Sequence, residues 1–197
     1  MTTQATGNQQ KRTGTRRQNM EQKRGRQAWN NIEFIQLESQ RRKSDTLQKE
    51  YRTRVSQLNT MIQVNGLGQT LGFLKSKKEQ RRDKSGKPLP PNAYDYLLYH
   101  LTQWTSGLFP LPDPGPASPD AVPQGYDGLL RWIMHEARSV DYRRVTTECL
   151  AFGAWLRRFA EAELKAPENA GSATSLEADL KEPESTEATP TSQEGEV

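Results

Sequence analysis

Cysteine is nearly absent from this chain: Cys149 stands alone among 197 residues. A single thiol excludes an internal disulfide and any cysteine-rich metal site. Only two histidines occur, His100 and His135, and His135-Glu136 lacks the second histidine at helical spacing that a zinc-binding helix needs. Long apolar runs are missing as well. Nothing approaches the ~20 residues of a membrane span, and the opening MTTQATGNQQKRTG has no apolar secretory core. Hydrophobic residues make up 32% of the chain and the mean hydropathy is −0.94, below the usual globular share. Alternating strand pairs and internal repeats are also absent. What remains is a chain suited to a reducing cytoplasm, without a membrane, metal or cofactor requirement.

Positive charge is what the chain has in excess, and it is unevenly placed. Residues 1–87 carry 20 Lys/Arg against 7 Asp/Glu, a net of +13. Residues 88–165 carry a net of −2 and residues 166–197 a net of −7, with eight carboxylates against one lysine. A basic amino-terminal half with an acidic tail favours a nucleic-acid partner, although Lys and Arg also serve simply to solvate helix faces.

The apolar pattern is helical throughout. Ala28, Ile32 and Ile35 share one face, with Trp29 beside them. Leu47, Tyr51, Val55, Leu58 and Ile62 recur at steps of three and four behind a candidate cap, Asp45. Asn65-Gly66 breaks the pattern, and a third helix carries Leu67, Leu71 and Leu74 into the basic cluster Lys75–Lys87. Gly68 and Gly72, four apart, leave a face where a neighbouring helix can approach closely. A fourth helix, capped by Asn92, bears Leu97, Leu98, Leu101 and Trp104; Leu129–Ile133 begin a short fifth. The clearest stripe is the last: Tyr142, Val145, Cys149, Phe152, Leu156 and Phe159, with Ser139 as candidate cap. Six of the twelve prolines crowd into residues 107–125, which read as a mobile surface excursion. The expected architecture is all-α: a single compact bundle of five or six helices over 16–165, between disordered tails at 1–15 and 166–197.

Convergent catalytic groups are hard to find in this pattern. His100 lies beside an apolar face, Cys149 falls within the buried stripe, and NGLGQ lacks both the preceding strand and the Lys-Ser/Thr pair of a phosphate loop. An enzyme is not expected. Lys and Arg clusters, by contrast, neutralise phosphates and release counterions without reading sequence. The candidate RNA contacts are Lys23, Arg24 and Arg26; Arg41, Arg42 and Lys43; Lys75, Lys77, Lys78, Arg81 and Arg82; and Arg143 with Arg144. Core packing is the expectation for Trp29, Trp104, Trp132 and Trp155, with base stacking a minor alternative.

Two long motifs, MIQVNGLGQTLGFLKSK (61–77) and DYRRVTTECLAFGAWLRRFAEAEL (141–164), occur in order after RQAWNNI (26–32). Together they resemble the small α-helical subunit of type III-B (Cmr-type) CRISPR effector complexes, over residues 16–165. The resemblance implies a non-catalytic subunit of an antiviral ribonucleoprotein. Several copies would stack head to tail beside the backbone subunits and the large subunit, their basic face lining the groove of guide and target RNA. The proline-rich segment and acidic tail depart from that pattern, and the tail is a candidate electrostatic competitor of RNA. A free-standing helical nucleic-acid-binding protein and a protein–protein scaffold are the alternatives.

Overall fold

The computed structural model describes residues 16–79, 89–116 and 126–167. They build six helices and, among the described residues, no strand: α1 Arg16–Arg41, α2 Thr46–Asn65, α3 Leu67–Glu79, α4 Ala93–Ser106, α5 Gly128–His135 and α6 Ser139–Glu163. The all-α expectation is met. Expectations for residues 1–15, 80–88, 117–125 and 168–197, Arg81 and Arg82 among them, fall outside the described residues, as does the side chain of Lys78.

Helix α4 is the hub. Ala93, Tyr96, Leu97, Leu98, Tyr99, Leu101 and Trp104 are all buried, as are the polar Asp95, His100, Thr102 and Thr105, so it is enclosed nearly all round. Its start is fixed by a capping box. The Asn92 side chain accepts the Asp95 amide at 3.0 Å, and the Asp95 carboxylate accepts the Asn92 amide at 2.9 Å. The long α6 lies parallel to α1. Trp29 meets Phe159 at 5.3 Å, and Gln36 Nε2 donates to the Glu163 carbonyl at 2.8 Å. It lies antiparallel to α2, with Asn59 Nδ2 bonded to the Leu150 carbonyl and Arg52 Nη1 to that of Leu164. Its stripe of Val145, Cys149, Phe152 and Leu156 is fully buried against these neighbours.

Two expected caps do not act as caps. Asp45 precedes α2 with its own backbone already helical, at φ −82° and ψ −5°, so its carboxylate does not reach the first-turn amides. It accepts instead from Lys165 Nζ at 2.6 Å, securing the end of α6. Ser139 is the first residue inside α6, and the extended residue before it is Arg138, which bonds Asp141 at 3.0 Å. Between α2 and α3, Gly66 takes φ +82°, a conformation side-chain-bearing residues rarely adopt.

The close helix approach is also not where Gly68 and Gly72 place it. Nothing described lies within 4 Å of a Cβ built on Gly72, and a Cβ on Gly68 meets only Ile133 and Tyr142 at 4.0 Å. The tight crossing is at Gly153 of α6, where a Cβ runs into Asn59 Oδ1 and comes within 3.2 Å of Leu58 Cδ2. Asn59 cannot swing aside without losing its bond to the Leu150 carbonyl at 3.1 Å. Gly153→Ala is therefore expected to destabilise by about 1–3 kcal/mol. Adding Asn59→Ala should return part of that loss, giving a non-additive double-mutant cycle in urea denaturation.

The described half of the proline-rich segment does not run free. Leu111 and Pro114 are buried, Phe109 packs on Trp132 at 5.6 Å, and Tyr99 Oη donates to the Gly115 carbonyl at 2.6 Å. Proline has no amide hydrogen to leave unsatisfied, which suits it to covering the side of α4 and α5.

Candidate nucleic-acid interface

Ten of the thirteen candidate cations have described side chains, and these fall into two groups. In the first, the guanidinium or ammonium is committed inside the fold. Arg24 on α1 grips Glu148 on α6 through Nη2 at 2.8 and 3.0 Å and Nε at 3.1 Å, and it also pairs with Glu21. The hydrogen bond to Glu148 is the main reason its pKa is raised. Arg42 bonds Glu38 at 2.6 Å, the Pro91 carbonyl at 2.7 Å and Tyr96 Oη at 2.9 Å, fastening the end of α1 to the start of α4. Arg41 shares the same carboxylate at 2.8 and 2.9 Å. Burial acts to raise the Glu38 pKa, but the two arginines outweigh it and hold it below the usual carboxylate value. Lys75 on α3 reaches Asp127 at 3.0 Å, where Arg131 also binds at 3.3 Å. Here too burial is outweighed, and the Asp127 pKa is lowered.

In the second group the charge faces solvent. Lys23, Arg26, Lys43 and Arg143 are exposed and have no ion-pair partner among the described residues. Lys43 sits at the α1–α2 turn with φ +53°. Lys77 is half-buried, with its ammonium 5.3 Å from the centre of the Phe73 ring. Arg144 stands 3.9 Å from Asp141 and 6.0 Å from the Phe109 ring centre.

These positions do not converge on one spot. Arg24 and Arg144 line one groove, with Met20, Leu108, Phe109 and Thr147. Arg41–Lys43 lie at the other end of α1; the seventeen-residue step from Arg24 to Arg41 is about 26 Å at 1.5 Å per residue. The described candidates are spread over both ends of α1 and onto α6 rather than gathered in one pocket. Sequence reading missed Arg158, which is exposed and lies 5.7 Å from the Trp155 ring centre. The signal was available, because LRRF (156–159) puts both arginines off the Leu156 stripe.

Cys149 and His100 are enclosed, whereas His135 is exposed. Cys149 is fully buried, and burial, helped by the Glu148 charge, pushes its thiol up. His100 is buried among Phe34, Tyr51, Tyr96 and Tyr99, whose ring centres lie 5.5–6.3 Å away. Its Nδ1 is 2.7 Å from Tyr51 Oη, and burial pulls its pKa down to about 3. Among the described residues, no three His, Cys, Asp or Glu side chains gather as a metal site would need, and no helix is long and apolar enough to cross a membrane.

The family model described as "CRISPR-associated protein (Cas_Cmr5)" matches residues 20–163. Among solved structures, the chain is similar to the X-ray crystal structure of a CRISPR-associated Cmr5 family protein from Thermus thermophilus. The two share 22% identity and a TM-score of 0.47, over 72% of this chain and 97% of that one. With the family match spanning well over half its length, the chain belongs to the Cmr5 family of CRISPR-associated proteins, the small α-helical subunits of type III-B Cmr complexes.

Proposed function

We propose that this subunit is a non-catalytic structural element whose residues 16–165 stack in several copies beside the backbone and large subunits. In this reading its basic surface lines the groove that holds guide and target RNA. The observation that carries the reading is the set of exposed cations without internal partners: Lys23, Arg26, Lys43 and Arg143. Their spread along α1 and onto α6 suits an elongated polyanion better than a compact ligand. Arg24, Arg42 and Lys75 have a different role, holding helices together, and their loss would act through the fold. The burial of Cys149 and His100 removes the thiol and one of the two imidazoles from any solvent-facing site.

Phosphate contacts release counterions, so affinity for single-stranded RNA should fall with salt at a log–log slope of about −0.7 per contact. Reversing Lys77, Lys78, Arg81 and Arg82 to glutamate is expected to weaken RNA binding more than tenfold at low salt. Helix content by circular dichroism should be unchanged. Affinity capture of the tagged chain from its own cells should recover larger partner subunits together with a small guide RNA. Salt-insensitive RNA affinity would overturn the basic-surface assignment, and recovery of neither partners nor guide would favour a free-standing protein.

A further inference from the structure

The α1–α6 seam carries aromatic surface that the core does not use. Trp104 and Trp132 are buried, yet Trp29 is 45% exposed. Its ring is braced by Phe159, which meets it edge-on, at 5.3 Å and 89°. Phe159 in turn leans on Trp155 at 5.5 Å. Trp155 is itself fixed, its Nε1 donating to Glu21 at 3.0 Å and its ring lying 3.7–3.8 Å from where a Cβ on Gly25 would stand. The row Trp155–Phe159–Trp29 is therefore a supported strip with an open outer ring at its end.

Cations flank this strip on one side of Trp29 and a carboxylate on the other. Arg26 lies one helical turn before Trp29, on the same face of α1, with Lys23 a further turn back. Both are exposed with no ion-pair partner among the described residues. Arg158 stands over Trp155 at 5.7 Å. Glu33 lies one turn beyond Trp29 on the other side and repels phosphate from that direction, while Glu21 is taken up by Arg24 and Trp155. A supported, exposed indole with cations on one flank is the recognition chemistry of a single nucleic-acid strand: a π-face for the base and positive charge for the backbone.

We propose that Trp29 is a stacking platform for one unpaired base of single-stranded RNA, whose backbone runs toward Arg26 and Lys23. The proposal rests on the RNA-contacting reading above and adds a base-contacting element to it. A duplex offers no free base face, so the platform discriminates single strands from double strands.

The test uses the full-length chain with fluorescein-labelled oligouridine and a duplex of equal length, titrated at several salt concentrations. Trp29→Ala is expected to lower single-strand affinity about thirtyfold, the middle of the range for one stacked base. Trp29→Phe should retain most of the affinity, Trp29→Leu should behave as alanine, and duplex affinity should not change in any of them. The salt slope should stay the same in all three, whereas Arg26→Ala should flatten it by about 0.7. Equal losses on single strand and duplex, or a leucine variant as good as phenylalanine, would overturn the platform while leaving the basic surface standing. Unchanged RNA affinity combined with loss of co-purifying larger subunits would also overturn it, assigning the ring to a protein contact. Failure of the unmodified chain to bind RNA at all would instead remove the reading on which the platform rests.

Discussion

Lowering the pH from about 6.5 to about 4 is expected to remove about 3 kcal/mol of folding stability through His100 alone. The sign follows from the direction of its shift. In the unfolded chain the imidazole takes a proton near 6.5, whereas in the fold burial holds its pKa at about 3. Between those values the unfolded state binds more protons, so acid favours unfolding. The contribution is fully present above the unfolded value and is lost as pH falls toward the folded one. Four aromatic rings surround the imidazole, and Tyr51 Oη is its hydrogen-bond partner. The Tyr51 hydroxyl can donate to or accept from Nδ1, so it is the apolar burial rather than this bond that disfavours the imidazolium.

Carboxylate titration occupies a lower window and can be told apart. Glu38 and Asp127 both have lowered pKa values in the fold, from ordinary values of 4.5 and 3.8. Their stabilisation is present above those ordinary values and is lost only as pH drops beneath them. Urea midpoints at a series of pH values should therefore fall steadily from near neutrality, before the carboxylates contribute. His100→Gln should flatten that first part of the curve. A midpoint unchanged between neutrality and about pH 5 would mean that the imidazole is not held neutral by burial.

Phe152→Ala is expected to cost about 3–5 kcal/mol, a large share of the ~5–15 kcal/mol that stabilises a typical domain. Phe152 is fully buried at the middle of α6, and its ring stacks on that of Trp104 in α4 at 5.1 Å and 14°. Removing it leaves a cavity where α6 meets the hub, and the surrounding rings are too rigid to refill it. The contrast is Trp104→Phe. The buried Trp104 Nε1 has no hydrogen-bond partner, so that change keeps an aromatic stack while deleting an unsatisfied donor. It should cost far less. In urea, Phe152→Ala should lower the midpoint with little change in slope, the sign of lost stability without a changed unfolded state. Equal costs for the two variants would mean that the stacked pair is not the principal link between α4 and α6.

The helices were legible because their buried stripes are local patterns. Leu47 to Ile62 and Tyr142 to Phe159 carry their period in adjacent residues; the first stripe is buried throughout, and the second from Val145 to Leu156, with Tyr142 and Phe159 half-buried at its ends. Asn92 was legible as a cap because its partner, Asp95, is three residues away. Asp45 was misread because its partner, Lys165, is 120 residues distant. The same reason divides the candidate cations. Nothing near Arg24 or Lys75 in sequence announces Glu148 or Asp127, so committed and exposed cations looked alike until the chain was folded. Gly153 escaped notice for a related reason: its crowding comes from Asn59 on another helix, whereas the conspicuous pair Gly68 and Gly72 has no close neighbour to accommodate.

Helix α1 finds much of its packing on α6, and the Arg24–Glu148 tie joins residues 124 apart. That pairing has a consequence in time. At a synthesis rate of about 5–20 residues per second, α1 leaves the ribosome roughly 6–25 s before the helix that covers its seam. Through that interval Ala28, Ile32 and Ile35 must be sheltered by α2 or by a chaperone. The Arg24 guanidinium meanwhile lacks Glu148 and is as open to a polyanion as its neighbours. Arg24 thus becomes a structural rather than an exposed cation only when the last helix arrives.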